Sequence, residues 1–144
     1  MVDVPGKDVT VRTATASGRV ELSAECVALL RGAGVPKGDA LAVARVAGIM
    51  GAKRTPDLVP LCHPLALSGV TLDLVVDDGG VAVSATVRTT DRTGVEMEAP
   101  TAVSVACLTV VDMTKAVDPR SVITDVRLET KTGGTSGEWA RDVR

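Results

Sequence analysis

The chain contains a single aromatic residue, Trp139, and has no tyrosine or phenylalanine among its 144 residues. A core without aromatic rings has to be filled by valine, alanine and leucine, whose small side chains let neighbouring backbones approach closely. The same deficit argues against proteins that bind RNA or single-stranded DNA by stacking bases on aromatic side chains. The sequence therefore predicts a tightly packed core of small residues and no nucleic-acid partner.

The length and charge of the chain favour one globular unit with a local, rather than global, affinity for charged ligands. Apolar residues make up 45% and charged residues 24% of the sequence, and the formal net charge is −2. We expect a single domain spanning residues 1–144, because this length fits one compact core. A slightly negative chain has no general attraction to nucleic acid or to an anionic membrane. Any anionic ligand has to be held by a cluster of cations.

The cysteines and the apolar segments predict a cytoplasmic protein. Cys26, Cys62 and Cys107 are odd in number and widely spaced, as expected of reduced thiols. The N-terminus lacks the basic and apolar regions of a signal peptide. The most apolar stretch, residues 40–52, contains Arg45 and is shorter than the roughly 20 residues that a membrane span needs.

The first third of the chain predicts an extended segment followed by two helices. Residues 9–22 are rich in threonine and valine and alternate in part. Ser23 is a suitable N-cap for a short helix that Gly32 ends. Asp39 is a suitable N-cap for a second helix that runs to about Arg54. Because this second helix is apolar almost all round, we expect it to be buried against close neighbours.

The remainder of the chain predicts a β-hairpin, a third helix and a last strand. Residues 70–77 and 81–88 alternate between apolar and polar, and an Asp-Gly-Gly turn separates them. Pro100 is expected to begin a helix that runs to about Val117, since proline is tolerated at the first helical position. Residues 122–131 predict a strand. The order β-α-α-β-β-α-β indicates the α+β class, as a ferredoxin-like plait with its antiparallel sheet packed on helices and one added helix.

The third helix carries a pair of charged residues. Asp112 and Lys115 share the one narrow sector of this helix that is not apolar, so their side chains should project side by side. An ordinary ion pair on the solvent face and a cleft lined by functional groups explain this pattern equally well.

Two glutamates precede this helix. With a helix that begins at Pro100, Glu96 and Glu98 lie in extended chain and share one face. Paired carboxylates either bind cations or have pKa values pushed apart for acid–base chemistry. A solvated strand edge is the other interpretation, and the spacing alone favours it.

The only histidine, His63, lies in an apolar segment between Cys62 and Pro64. Pro64 restricts His63 to extended geometry, in which neighbouring side chains point in opposite directions. Cys62 and His63 therefore do not form a nucleophile–base pair with each other. A zinc site would need further ligands at suitable spacing, and the sequence has none. The residues alone favour His63 as an ordinary core residue.

Two lysines lie beside segments that are able to bind phosphate. Lys131 precedes a glycine-rich run, whose backbone N–H groups are unobstructed. Lys37 precedes the start of the second helix. A flexible tail and a plain surface turn, respectively, are the simpler interpretations of each segment taken alone.

Taken together, these segments resemble one family, the cyclic pyranopterin monophosphate synthases of molybdenum cofactor biosynthesis. The matching segments are collinear and cover essentially the whole chain. They are Met1-Val2-Asp3-Val4, Lys37-Gly38-Asp39, Ala44-Arg45-Val46-Ala47-Gly48-Ile49, Leu61-Cys62-His63-Pro64-Leu65, Thr93-Gly94-Val95-Glu96-Met97-Glu98-Ala99, Asp112-Met113, Lys115-Ala116-Val117, and Lys131 with Gly133-Gly134.

The resemblance implies a reaction and a set of site residues. The family converts (8S)-3′,8-cyclo-7,8-dihydroguanosine 5′-triphosphate into cyclic pyranopterin monophosphate and releases pyrophosphate, which makes it a phosphorus–oxygen lyase. We expect no cofactor and no metal-ligating residues, and the sequence leaves open whether magnesium accompanies the phosphates. The positions that match catalytic residues are Asp112, Lys115, Lys131, Lys37 and His63. The positions that match substrate-binding residues are Leu61, Cys62, His63, Glu96, Met97, Glu98 and Arg12.

The resemblance also implies a homohexamer, built as a trimer of dimers with active sites between subunits. Three positions depart from the family's usual residues. Thr135 stands where a second lysine is usual, Pro100 replaces leucine, and Val111 stands where tyrosine is common. Two other classes remain as alternatives: a regulatory plait that binds nucleotides without turnover, which the Thr135 departure favours, and a structural oligomerisation module.

Overall fold

A computed structural model of the chain describes residues 1–4, 6–134 and 137–142. The elements follow the predicted order, with a short helix and a short strand added. They are β1 (Thr10–Glu21), α1 (Ala24–Arg31), α2 (Ala40–Lys53), α3 (Thr55–Leu58), β2 (Leu67–Asp77), β3 (Gly80–Asp91), α4 (Glu98–Thr114), β4 (Val122–Thr132) and β5 (Trp139–Ala140).

The strands form one antiparallel sheet in the order β2-β3-β1-β4-β5. The order of its four long strands and the crossovers through α2 and α4 are those of a ferredoxin-like plait. The predicted α+β class is therefore confirmed, and α1 is the added helix. The predicted hairpin is also confirmed, since β2 and β3 pair directly through a two-residue turn between Asp77 and Gly80.

Local capping signals in the sequence are found where they were expected. The Ser23 side chain accepts a hydrogen bond from the Cys26 backbone N–H at 3.2 Å, and Gly32 ends α1. The Asp39 side chain accepts from the Ala42 backbone N–H at 3.1 Å at the start of α2. Each cap satisfies a backbone donor that has no partner within the helix.

The helices α2 and α4 lie against one face of the sheet and pack closely against each other. Glycines make this possible: a Cβ at Gly48 would lie 2.9 Å from the Ala102 carbonyl oxygen, and one at Gly51 would lie 2.8 Å from the Cβ of Val105. The core between helices and sheet consists mainly of alanine and valine, together with Cys26 and Cys107. The predicted small-residue core is therefore present.

The helix α4 begins earlier than the sequence predicted. It starts at Glu98, so Pro100 is its third residue instead of its first. The first four N–H groups of a helix have no intrahelical acceptor, so the missing N–H of proline costs no helical hydrogen bond at this position. The prediction that Glu96 and Glu98 lie together in extended chain is therefore wrong: Glu96 lies in a turn, and Glu98 is helical.

The prediction that α2 is buried against close neighbours is confirmed for one of its faces. One face of α2 packs on the core through residues such as Ala44 and Gly51, whereas Val46 and Met50 are exposed. The outer surface of the helical layer continues this apolar character. Its exposed large apolar side chains are Val43, Val46, Met50, Leu58, Leu61, Met97 and Leu108.

Among the described residues, no helix combines the length and the apolar character needed to cross a bilayer.

The close approach of α2 to α4 predicts an unusual response to substitution. A Gly→Ala change inside a helix ordinarily stabilises by about 0.5–1 kcal/mol. Gly48→Ala should instead lower the free energy of unfolding by about 1–3 kcal/mol, because the new methyl group meets a backbone carbonyl that cannot rotate away. Denaturation by urea measures the difference.

Gly69→Ala is the matched control, since no atom lies within 4 Å of a Cβ at that position in β2. Its effect should stay within about 0.5 kcal/mol. A Gly48→Ala variant at least as stable as the unsubstituted chain would contradict the packing described here.

Candidate functional site

The loop before α4 and the segment after α3 enclose a pocket of about 240 Å³, which we call the Glu98 pocket. Six of the predicted substrate-binding residues line it together, although they come from two separate parts of the sequence. Its lining residues are Val59, Leu61, Cys62, His63, Thr93, Gly94, Glu96, Met97 and Glu98. Val59, Thr93 and Gly94 were not named as site residues from the sequence, although Thr93 and Gly94 belong to a segment that carries the family resemblance.

Glu98 is the most unusual residue of this pocket. Its side chain is only 2% exposed. Its Oε2 atom accepts a hydrogen bond from the Cys62 thiol at 3.7 Å, and its Oε1 atom has no partner among the described residues. Burial raises the pKa of Glu98 above its ordinary value. Glu98 is thus suited to hold a proton and to hydrogen-bond a ligand in the pocket.

Cys62 and His63 are both partly buried and line the same pocket. His63 is therefore not the enclosed core residue that the sequence alone favoured. Burial, followed by the nearby Glu98 carboxyl group, raises the pKa of the Cys62 thiol. A raised pKa keeps the thiol protonated, so Cys62 acts as a hydrogen-bond donor to Glu98 and not as a nucleophile.

Lys131 reaches the edge of this pocket from β4. Its Nζ atom donates a hydrogen bond to Glu96 Oε1 at 3.2 Å, and both side chains are about one-third exposed. Lys131 pairs across the sheet with Ala14, whose side chain is buried under the helices. The lysine side chain therefore extends on the helical side of the sheet, towards the turn that precedes α4.

Arg12 lies on the same face of β1, two residues from Ala14. Its side chain is largely buried, and its Nε atom donates to the Asp91 carbonyl oxygen at 3.0 Å. The chain after β4 passes directly beside it: Gly134 has a φ of +79°, and a Cβ there would collide with the Arg12 guanidinium. Two cations, Arg12 and Lys131, therefore lie at the end of the sheet that is next to the Glu98 pocket.

Three charged residues form a second group, which we call the Asp112 cluster. Asp112 accepts hydrogen bonds from Lys115 Nζ at 2.7 Å and from Lys37 Nζ at 3.0 Å. Hydrogen bonds from Lys115 and from Lys37 lower the pKa of Asp112. All three side chains are about half exposed. The sequence placed Asp112 beside Lys115, and the structure adds Lys37 from the loop between α1 and α2.

The Glu98 pocket and the Asp112 cluster lie at opposite ends of α4. Fourteen residues separate Glu98 from Asp112, which corresponds to about 21 Å along the helix axis. One chain therefore brings Arg12 and Lys131 to the end of the sheet at the Glu98 pocket, but does not bring the Asp112 cluster to it.

No group of three or more histidine, cysteine, aspartate or glutamate residues is arranged to hold a metal ion, as far as the described part of the chain extends. Thr135, one of the departures noted from the sequence, lies outside the described residues.

The fold and these two groups define a class: a ferredoxin-like α+β protein that presents lysines and carboxylates suited to acid–base chemistry on a small anionic molecule. Comparisons with known proteins then identify the family. A model of the MoaC family matches residues 1–134.

Several relatives match over nearly the whole chain. The chain is 75% identical over 141 residues to a protein of Streptomyces coelicolor, covering 98% of this chain and 83% of the relative. It is 72% identical to a protein of Nocardioides, covering 98% and 88%. Both relatives bear the name cyclic pyranopterin monophosphate synthase. A Mycobacterium tuberculosis protein named cyclic pyranopterin monophosphate synthase 2 is 60% identical, covering 98% and 84%. The chain belongs to the MoaC family.

The buried carboxyl group of Glu98 predicts a pH-dependent stability. Its pKa is raised above the ordinary 4.5, so the folded chain retains this proton at pH values where the unfolded chain has lost it. The stability contributed by Glu98 is complete below pH 4.5 and is lost as the pH rises through the raised pKa. In Glu98→Gln this loss is absent. The variant should gain stability relative to the unsubstituted chain as the pH rises from 4.5 to 8, measured by urea denaturation.

Glu21→Gln, at the exposed end of β1, serves as the control for removal of a carboxylate. Parallel pH profiles for the Glu98→Gln variant and the unsubstituted chain would show that the Glu98 carboxyl group is not held in its neutral form.

Proposed function

We propose that this protein is a cyclic pyranopterin monophosphate synthase of molybdenum cofactor biosynthesis, acting as one domain in the cytoplasm. Its substrate is the 3′,8-cyclised dihydro-GTP, and its products are cyclic pyranopterin monophosphate and pyrophosphate. The single observation that carries this proposal is that relatives named cyclic pyranopterin monophosphate synthase match nearly the whole chain at 72–75% identity.

In this proposal the cations bind the triphosphate. A triphosphate carries roughly four negative charges, which require several compact or forked cations for neutralisation. Arg12 and Lys131 supply two of these cations beside the Glu98 pocket. Lys37 and Lys115 supply two more. Both pair with the single carboxylate of Asp112, so the cluster keeps a net positive charge.

The carboxyl groups, the lysines and His63 carry out the proton transfers. Opening and rebuilding the purine-derived rings requires acids and bases that act in sequence. Glu98 is suited to donate a proton because burial raises its pKa and favours the neutral carboxyl group, whereas Asp112 is suited to act as an anion because hydrogen bonds from two lysines lower its pKa. Cys62 fixes the orientation of Glu98.

The phosphate chemistry is a displacement at the inner phosphorus atom. A hydroxyl group derived from the ribose attacks this atom and loses its proton to a base, forming a new P–O bond. The bond from that phosphorus to the bridging oxygen breaks, and pyrophosphate leaves with the bonding electron pair. Lysines around the phosphates stabilise the negative charge that develops on the leaving group.

We infer that two copies of the chain complete each site. The Glu98 pocket and the Asp112 cluster lie at opposite ends of α4, and an apolar patch that includes Leu61, Met97 and Leu108 lies along the same helical layer. When two copies pack antiparallel about a two-fold axis, the pocket of one faces the cluster of the other. Burial of the patch stabilises such a dimer. Three dimers would form the hexamer that the family resemblance implies.

The reaction itself tests the proposal. The purified protein, incubated with the cyclised dihydro-GTP, should release one pyrophosphate for each cyclic pyranopterin monophosphate formed. Binding of the substrate without either product would favour a regulatory nucleotide-binding protein instead.

Lys131→Ala should reduce kcat by about 10²–10⁴-fold, the range expected when a general acid or base is removed. Binding of the substrate should weaken less, because the other cations still hold the triphosphate. Single-turnover kinetics and equilibrium binding separate the two effects. Lys53→Ala, at the exposed end of α2, is the control and should leave both unchanged. Full turnover by Lys131→Ala would contradict the role given to this lysine.

A further inference from the structure

The only aromatic residue of the chain lies next to Lys131. Trp139 belongs to the short strand β5, and its direct partner in the antiparallel pairing with β4 is Lys131. Side chains of directly opposed residues lie on the same face of a sheet, with Cβ atoms about 4.5–5.5 Å apart. Since Lys131 contacts Glu96, the indole of Trp139 also lies on the face that carries the Glu98 pocket.

The indole is not a core residue. It is 40% exposed, and the core clusters of the protein do not include it. Trp139 therefore leaves a large apolar surface in contact with solvent at the edge of the candidate site, where it contributes little to the stability of the fold.

The backbone that carries Trp139 is nevertheless firmly attached. The Arg141 backbone N–H donates to the Glu129 carbonyl oxygen at 2.8 Å, and its Nε atom donates to the Leu128 carbonyl oxygen at 2.8 Å. The Arg141 guanidinium lies 6.0 Å from the centre of the indole ring. A cation at this distance is attracted to one face of the ring and helps to orient it, so the opposite face is available to a ligand.

We propose that Trp139 stacks on the planar six-membered ring of the purine-derived part of the substrate while Lys131 interacts with its phosphates. The proposal rests on the function proposed above, since that substrate combines such a planar ring with a triphosphate. Stacking of a base on an aromatic ring needs only an accessible ring face. Trp139 is the only tryptophan, tyrosine or phenylalanine in the sequence, so it offers the largest aromatic face for this interaction.

Intrinsic fluorescence tests the contact directly, because Trp139 is the only fluorescent aromatic residue in the chain. GTP and inorganic tripolyphosphate serve as probes, since they share the phosphate chain and only GTP carries the guanosine with its heterocycle. GTP should quench the tryptophan emission saturably, and tripolyphosphate should leave it nearly unchanged. Equal responses to the two probes, or no saturable response to GTP, would overturn the proposal.

Two variants separate stacking from a merely structural role. Trp139→Leu keeps an apolar side chain on β5 but has no aromatic face, and Trp139→Phe restores one. Trp139→Leu should weaken GTP binding by about 10–100-fold and leave tripolyphosphate binding unchanged, the size expected for loss of one stacked base. Trp139→Phe should recover most of the loss.

A Trp139→Leu variant that weakens both probes equally would show that the residue only holds β5 in place, and would refute the stacking role. Failure of this inference is distinguishable from failure of the proposed function. An unsubstituted protein that forms product, together with a Trp139→Leu variant of unchanged kcat/KM, refutes the stacking alone. An unsubstituted protein that binds the substrate but forms no product refutes the proposed function.

Discussion

The close contact between α2 and α4 is the constraint on which the rest of the structure depends. Gly48 and Gly51 let the two helices approach until only small side chains fit between them and the sheet. Apolar residues on the outer faces of the helices, such as Val46, Met50 and Leu108, are left exposed. The same packing fixes α4 as a rigid spacer that holds the Glu98 pocket and the Asp112 cluster about 21 Å apart. In the proposed function, this packing both separates the two parts of the site and leaves an apolar surface that a second copy covers.

The two ends of α4 place carboxyl groups in opposite environments. Glu98 is buried with one oxygen unpaired, which favours the neutral form, whereas Asp112 is exposed and receives hydrogen bonds from two lysines, which favour the anion. Acid–base chemistry at neutral pH needs such a difference between groups of the same type. Here the difference arises from the positions of the two residues in α4. Glu98 lies in the first turn and is buried, whereas Asp112 lies near the end of the same helix and is half exposed.

Much of the fold could be predicted from the sequence because its signals are local. Ser23 and Asp39 cap helices through the N–H groups of residues three positions further on, and alternation along β2 and β3 defines the hairpin. The start of α4 could not be predicted, since proline is acceptable anywhere in the first turn. Which apolar face of α2 is left exposed within one chain could not be predicted either, because an apolar helix surface has the same sequence pattern whether its own chain or another copy covers it.

The candidate site depends on contacts between distant parts of the sequence, so the residues alone left it undecided. Thirty-five positions separate Glu96 from Lys131, and 75 separate Lys37 from Asp112. Periodicity does not report such contacts, and only the family resemblance linked these residues before the structure did. The position of Trp139 beside Lys131 could not be predicted either, because a two-residue edge strand has almost no sequence signal.

Complementation between two inactive variants tests most directly the claim that each site is shared by two copies. Asp112→Asn disables the cluster and leaves the Glu98 pocket intact, whereas Lys131→Ala does the reverse. In an equal mixture of exchanged subunits, half of the dimers are mixed, and each mixed dimer has one fully intact site. The account predicts recovery of about one quarter of the unsubstituted activity. A mixture as inactive as its two components would contradict it.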